Sequence, residues 1–189
     1  MRIYLASRSP RRRLLLKKFG FQFKCLFPNI KEKFEMKNPK QLAIKIAQQK
    51  VNAVKDKINR GIIIGVDTII VIDNRIIGKP KNKTEARKIL KRLSGKTHKV
   101  ISAIYILQKP DGRSIKLVET TKVTFRKLSD WEIEEYLKTK EPYDKAGAYG
   151  IQGRAGMFIK KINGCYFNVV GLPINKLLAG IKRLSKNTN

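Results

Sequence analysis

The chain has 189 residues, of which 42% are hydrophobic and 8% aromatic, a composition that is typical of a folded globular protein and excludes a disordered one. Lysine and arginine number 43 against 14 acidic residues, a formal net charge of +29, and the basic residues are spread through every segment. Because a dedicated nucleic-acid binder more often carries one dense basic stripe or interleaved aromatic residues, we interpret the charge as compositional and do not expect nucleic acid as the partner.

The length suits one domain with a real core, which we place at residues 1–189 with a frayed tail at 186–189. No apolar stretch is long enough to cross a bilayer, and the N-terminus lacks the apolar core of a signal peptide. Two cysteines in a chain of this size are typical of a reducing compartment. We therefore expect a cytoplasmic protein with no membrane partner.

The first stretch, Arg2–Phe19, is predicted to form a strand, a polar turn and a helix. Pro10 suits the first turn of that helix, with Ser9 as N-cap before it and Gly20 as the C-terminal cap. Hydroxyls, free N–H groups and guanidiniums therefore gather at one helix N-terminus, which is a favourable place for phosphate. The candidate phosphate-binding residues here are Ser7, Ser9, Arg11 and Arg12. A solvated basic helix face is the alternative.

The helical periodicity of Pro39–Ile58 predicts a second helix, and Lys50 falls near the middle of its apolar arc. A lysine there either extends along the core to reach water or directs its ammonium towards an anion in a cleft. Both interpretations stay open at this point.

Gly61–Asn74 has the density of isoleucine and valine that predicts a buried central strand. Asp67, followed by Thr68, interrupts this run, and a carboxylate in such a place is costly unless it is paired, binds a metal or faces a cleft. We favour a functional role for Asp67, because Gly65 two residues earlier also invites a close backbone or ligand approach.

The remaining elements follow from capping and turn signals. Ser129 opens a helix with a capping box, and the loop Glu141–Gly153 has the composition of a binding surface. The other predictions are a hairpin turn at Asp73–Arg75, the Gly78–Lys79–Pro80 segment, a helix over Thr84–Leu93, strands over Thr97–Lys109 and Ser114–Lys127, a hairpin of Met157–Ile162 with Cys165–Val170, and a last helix from Pro173.

Most metal and nucleophile motifs are absent. The single histidine, His98, excludes a histidine-cluster zinc site, and the sequence has no CxxC pair, phosphate loop, dinucleotide fingerprint or GxSxG elbow. What is left is a hard-cation site, in which magnesium or manganese would bridge Asp67, Glu32 and phosphates. Such a site suits the hydrolysis of a phosphoanhydride.

Six segments of the sequence stand out together: LASRSPRR at 5–12, GVDTIIV at 65–71, GKP at 78–80, LSGKTHKV at 93–100, EPYDKAGAYGIQG at 141–153 and VVGLP at 169–173. In their order and spacing, as far as about residue 180, they resemble one family, the Maf-like nucleoside triphosphate pyrophosphatases.

This resemblance implies an α/β fold, a strongly twisted mixed sheet flanked by helices, with two lobes around a central cleft. It implies an enzyme that cleaves a nucleoside triphosphate between the α and β phosphates with a divalent cation. By motif, Asp67 is the expected proton acceptor, and Lys50 and Lys79 are expected in the phosphate cleft as catalytic and phosphate-binding residues. Substrate choice follows Arg11, Thr68 and Gln152. Where many relatives have two adjacent acids, this chain has Lys31–Glu32, so Glu32 is the one left as a partner for the metal.

The YGIQG form of the loop resembles the branch that acts on dTTP and UTP, since a neutral amide can both donate to and accept from a pyrimidine edge. The alternatives are another or modified nucleotide, such as 7-methyl-GTP, and a basic nucleic-acid-binding or division-associated protein. The sequence leaves the oligomeric state open, with a homodimer as one option.

Overall fold

The structure is a computed structural model that describes residues 2–30, 36 and 38–186. The chain divides into two units. The first comprises Met1–Thr68, Ser102–Glu119 and Gly171–Asn189, and the second comprises Ile69–Ile101 and Thr120–Val170. The cleft between two lobes that the family resemblance implies stays a prediction.

Strands and helices alternate along most of the chain. In chain order they are β1 (Ile3–Ala6), α1 (Pro10–Lys18), β2 (Phe23–Leu26), α2 (Pro39–Asn52), β3 (Gly61–Ile72), β4 (Arg75–Ile77), α3 (Lys83–Leu93), β5 (Thr97–Lys109), β6 (Ser114–Phe125), α4 (Asp130–Leu137), β7 (Ile159–Asn163), α5 (Tyr166–Val170) and α6 (Ile174–Lys186).

The strands form one seven-stranded sheet in the order β2-β1-β3-β5-β6-β7, with β4 paired to β3. Strand β1 pairs in parallel with both β2 and β3, whereas β3–β4 and β6–β7 are antiparallel. The predicted mixed α/β fold is therefore confirmed. Among the described residues, no helix is both long and apolar enough to span a membrane.

Two sequence predictions differ from the structure. Helix α2 ends at Asn52, and the rest of the predicted helix includes a short 3-10 turn at Lys55–Lys57. The hairpin predicted for Met157–Ile162 with Cys165–Val170 is wrong, because β7 pairs with β6 and Tyr166–Val170 is helical. The side-chain amide of Asn168 explains the second difference. It is fully buried and donates to Val100 O at 2.9 Å and to Thr121 Oγ1 at 3.0 Å, bonds that fix this segment on β5 and β6.

In the first unit, helix α2 lies directly against β3 at Gly65. A Cβ at this position would come within 2.2 Å of Ala47 O and 2.7 Å of a Val51 methyl carbon. Any side chain here would therefore force the strand and the helix apart. The close approach that the sequence suggested at Gly65 is an approach of backbone to backbone.

We expect Gly65→Ala to lower the free energy of unfolding by about 1–3 kcal/mol, because the added methyl group overpacks a site whose nearest neighbour is a backbone oxygen. Gly78→Ala is the matched control, since a Cβ there has no atom within 4 Å. Urea unfolding of both variants measures the difference. Equal stability of the two variants would contradict this account of Gly65.

The core of the second unit is centred on aromatic rings around His98. The imidazole is 1% exposed and makes edge-to-face contacts with Phe125 and Tyr149, at centroid distances of 5.2 and 5.4 Å. Removal from water penalises the charged imidazolium, and burial lowers the pKa of His98 from 6.5 to about 4. The folded protein therefore keeps this side chain neutral at pH 7.

This burial predicts a loss of stability in mild acid. Between pH 6.5 and 4 the unfolded chain binds a proton at His98 that the folded chain does not, so the free energy of unfolding falls as the pH drops, by about 3 kcal/mol for the whole shift. Urea unfolding at pH 7, 5 and 4 measures the effect, and a His98→Asn variant should lack it. If NMR shows that the single histidine of the folded protein titrates near pH 6.5, the prediction is contradicted.

Candidate functional site

A buried ion pair joins helix α2 to strand β3. Lys50 Nζ lies 2.7 Å from Asp67 Oδ1 and 3.4 Å from the carbonyl oxygen of Val66, so the ammonium donates to both. Lys50 is 8% exposed and Asp67 is 5% exposed. Burial of this kind is tolerated only when each charge has a close partner. The structure therefore brings together two residues that the sequence placed in separate motifs.

The residue after Asp67 is the centre of a second polar network. Thr68 Oγ1 accepts a hydrogen bond from Arg12 Nη2 at 3.0 Å, lies 2.8 Å from Ser102 Oγ on β5, and donates a long bond to Gly171 O at 3.4 Å. The hydroxyl is thus engaged on several sides by protein groups. Because Asp67 and Thr68 are consecutive on a strand, this network also fixes the backbone that carries the carboxylate.

Arg12 joins three segments of the first unit. Its Nε donates to Gly171 O at 2.9 Å, and its Nη1 lies 3.3 Å from Ser7 Oγ. Arg12 is 9% exposed, whereas its neighbour Arg11 is half-buried. These contacts give Arg12 a structural role. The phosphate-binding role that the sequence suggested for it stays a prediction.

The turn before helix α1 is held by hydrogen bonds that two backbone N–H groups donate. Ser7 N donates to Leu26 O at 3.0 Å, and Ser9 N donates to Ser7 Oγ at 3.2 Å. Ser9 occupies the predicted N-cap position with Pro10 after it, but its own side chain makes no capping bond. The hydroxyl that organises the turn is therefore that of Ser7.

Sequence reasoning missed Ser102. This side chain is fully buried in β5 and bonds to Thr68 in the middle of the network. The one available signal was a hydroxyl residue inside an otherwise apolar run, VISAIYIL at 100–107. Such a residue more often only satisfies its own polar group within a sheet, so the sequence alone gives no reason to single it out.

Two predicted site residues belong to the second unit. Lys79 lies between β4 and α3, and Gln152 lies in the loop after α4; both side chains are exposed. The segments that carry them are joined, since Gly147 N donates to Gly78 O at 3.0 Å. Arg11, Lys50, Asp67 and Thr68 belong to the first unit. The predicted site residues are thus divided between the two units.

The metal prediction concerns Asp67 and Glu32. Glu32 lies outside the described residues, and among those that are described no three His, Cys, Asp or Glu side chains cluster closely enough to hold an ion. Asp67 nevertheless fits, because magnesium commonly binds one or two carboxylates and takes its other ligands from water and substrate phosphates. Lys50 bonds to Oδ1 of this carboxylate, so a cation would bind through the other oxygen, Oδ2.

Comparisons with known proteins agree with the sequence motifs. A family model described as Maf-like protein matches residues 2–184. The dTTP/UTP pyrophosphatase of Carboxydothermus hydrogenoformans is 47% identical over 177 residues, which cover 94% of this chain and 95% of that protein. The protein of the same name from Dictyoglomus thermophilum is 45% identical, covering 96% and 95%.

The fold has a counterpart among solved structures. The Staphylococcus aureus Ham1 protein superposes with a TM-score of 0.55, covering 96% of this chain and 98% of that one. The two sequences are 15% identical, so this similarity shows the fold alone.

The Thr68 network makes a prediction about stability. Thr68→Val keeps the shape of the side chain but removes the hydroxyl that Arg12 and Ser102 contact, and the free energy of unfolding should fall by about 1–3 kcal/mol. Thr68→Ser keeps the hydroxyl and should lose markedly less. Thr97→Val is the matched control, because Thr97 makes a comparable 2.8 Å contact with Thr124 at an exposed position. Urea unfolding separates these cases, and a Thr68→Val protein as stable as the wild type would refute the network's importance.

Proposed function

The chain belongs to the Maf-like protein family, and on that premise we propose that it is a nucleoside triphosphate pyrophosphatase that hydrolyses dTTP and UTP. The products are the nucleoside monophosphate and pyrophosphate. The observation that carries the proposal is the buried pair of Lys50 and Asp67 at 2.7 Å, which holds a carboxylate in a fixed orientation within an apolar strand.

In the proposed reaction Asp67 is the proton acceptor. The oxygen of a water molecule attacks the α-phosphorus. The bond between that phosphorus and the oxygen that bridges the α- and β-phosphates breaks, and pyrophosphate leaves. The proton of the attacking water passes to the carboxylate of Asp67. Lys50 holds Oδ1 at 2.7 Å, so it orients the carboxylate and offsets its charge. Arg12, Ser102 and Gly171 fix the position of Thr68 and thereby of the neighbouring Asp67.

A divalent cation, magnesium or manganese, is part of the proposal. Asp67 would hold it through Oδ2 together with phosphate oxygens of the substrate, and Glu32 is the second candidate ligand. When bound, such a cation neutralises phosphate charge that builds up as the bond breaks. Phosphate binding by the chain itself is assigned to side chains that carry hydroxyl or cationic groups, namely Ser7, Ser9, Arg11, Arg12, Lys50 and Lys79.

Substrate choice is assigned to Arg11, Thr68 and Gln152. The exposed amide of Gln152 offers both a donor and an acceptor, which suits the edge of thymine or uracil. Thr68 is already bonded to Arg12 and Ser102, so we propose that it influences selection by fixing Arg12 and its neighbour Arg11. We place the enzyme in the cytoplasm, which agrees with the two free cysteines, Cys25 and Cys165.

The test is an assay of the purified protein with a panel of triphosphates and magnesium, in which pyrophosphate and orthophosphate are measured separately. We expect pyrophosphate from dTTP and UTP, and no turnover once the divalent cation is chelated. Release of orthophosphate and a diphosphate would show that a different bond is cleaved. Faster hydrolysis of 7-methyl-GTP or a purine nucleotide would show that the assignment of the base is wrong.

We expect Asp67→Asn to fold and to lose nearly all turnover, because an amide neither accepts the proton of the attacking water nor binds magnesium well. Asp73→Asn is the matched control. It alters an exposed carboxylate that pairs with Arg92 on the protein surface, and should leave turnover unchanged.

The folding of Asp67→Asn needs its own control, because the buried ammonium of Lys50 would lose its charged partner. If the single variant proves unstable, the double variant Lys50→Met/Asp67→Asn removes both charges and restores a neutral pair. Either folded variant that hydrolyses dTTP at the wild-type rate would disprove the role of Asp67 as proton acceptor.

A further inference from the structure

Gln152 is presented by a tight turn in the second unit. Gly153 N donates to Gly150 O at 3.1 Å, which closes a turn with Ile151 and Gln152 at its two central positions. The Gln152 side chain is exposed, and no hydrogen bond joins it to any residue that the structure describes. The position of the backbone that carries this side chain therefore depends on how firmly the two ends of the turn are held.

The start of the turn is anchored by Tyr149. Its hydroxyl lies 2.7 Å from His98 Nε2, and its ring packs edge-to-face on Phe125 at a centroid distance of 4.9 Å. Both members of the hydrogen bond are buried, at 1% exposure for His98 and 5% for Tyr149. His98 belongs to strand β5, so this bond ties the first end of the turn to the sheet.

The backbone before Tyr149 shows that this anchor bears strain. Ala148 has a φ of 58°, a conformation that residues with a side chain rarely adopt, and it is fully buried. Gly147 has a φ of 75°, and a Cβ there would lie 2.4 Å from Ile70 Cδ1. Such a conformation persists only where the surrounding contacts impose it. The neighbouring Tyr149 supplies contacts of this kind.

The end of the turn is held by a carboxylate. Glu141 Oε1 accepts a hydrogen bond from Arg154 N at 3.1 Å, and a Cβ on Gly153 would lie 2.0 Å from Glu141 Oε2. The hydroxyl of Tyr136 lies 3.5 Å from the same oxygen, and Lys145 Nζ donates to the Glu141 carbonyl at 2.7 Å. The carboxylate therefore fills the space that the missing side chain of Gly153 leaves, and it accepts a hydrogen bond from the first backbone N–H after the turn.

We propose that His98, Tyr149 and Glu141 are positioning residues for base selection, which fix both ends of the 150–153 turn so that the backbone carrying Gln152 is already in place before a nucleotide binds. This inference rests on the proposed function of Gln152. A turn that is already ordered loses less conformational entropy when Gln152 binds a base, so loosening the turn should raise KM more than it lowers kcat.

The first test is a double-mutant cycle on dTTP hydrolysis. Tyr149→Phe removes the hydroxyl but keeps the ring, and should lower kcat/KM about tenfold, mainly through KM. In a Gln152→Ala background the same change should cost less than about twofold, because the group that it positions is already gone. Tyr105→Phe is the matched control. Like Tyr149, Tyr105 is buried, but it lies on β5 in the first unit, whereas the turn belongs to the second. Losses that simply multiply would overturn the inference.

The second test does not depend on turnover. Hydrogen exchange of the amides at 150–153 should accelerate in Tyr149→Phe and in Glu141→Gln by more than the loss of global stability in urea accounts for, and should stay at the wild-type rate in Tyr105→Phe. Unchanged exchange in both turn variants would overturn the inference. If Gln152→Ala hydrolyses dTTP and UTP as the wild type does, the proposed role of Gln152 fails, whereas accelerated exchange would still show that the turn is held as described.

Discussion

The buried ion pair of Lys50 and Asp67 is the interaction on which the arrangement of the first unit depends. Two charges that are each more than nine-tenths buried are stable only at close range and with further hydrogen bonds. The 2.7 Å separation requires helix α2 to lie against β3, and the absence of a side chain at Gly65 permits that approach. A single glycine on the strand therefore decides whether a lysine one element away can reach the carboxylate.

Much of the fold could be predicted because local signals agreed with the tertiary contacts. The apolar run of β3, the capping box of α4 and the glycine after α1 all lie as predicted. The predicted hairpin of Met157–Ile162 with Cys165–Val170 was wrong, although Asn163–Gly164 between these segments is a strong turn signal in isolation. The buried hydrogen bonds of Asn168 override it, and they link residues far apart in the chain.

The part of the candidate site that depends on the rare acidic residues could be predicted from the sequence. The part that depends on the abundant arginines could not. With 14 acidic residues in the whole chain, a carboxylate inside an apolar strand drew attention to Asp67. Arginine is common, and the sequence groups Arg12 with Arg11 as a phosphate-binding candidate without indicating that its guanidinium bonds to Ser7, Thr68 and Gly171. Those partners lie in separate segments, so only the folded chain reveals the network.

The two units carry their candidate residues on different kinds of structure, and this bears on how selectivity could change. Lys50 and Asp67 lie on a helix and a strand that share a packed core, so a substitution there alters stability and chemistry together. Gln152 lies on an exposed turn whose fixed points are Tyr149 and Glu141, several residues from its own side chain. Gln152 can therefore be substituted while the contacts of Tyr149 and Glu141, and the ion pair of Lys50 and Asp67, stay intact. The part in base selection that we propose for Gln152 is thus separable from the role that we propose for Asp67, because the contacts that hold the turn and those of the ion pair share no residue.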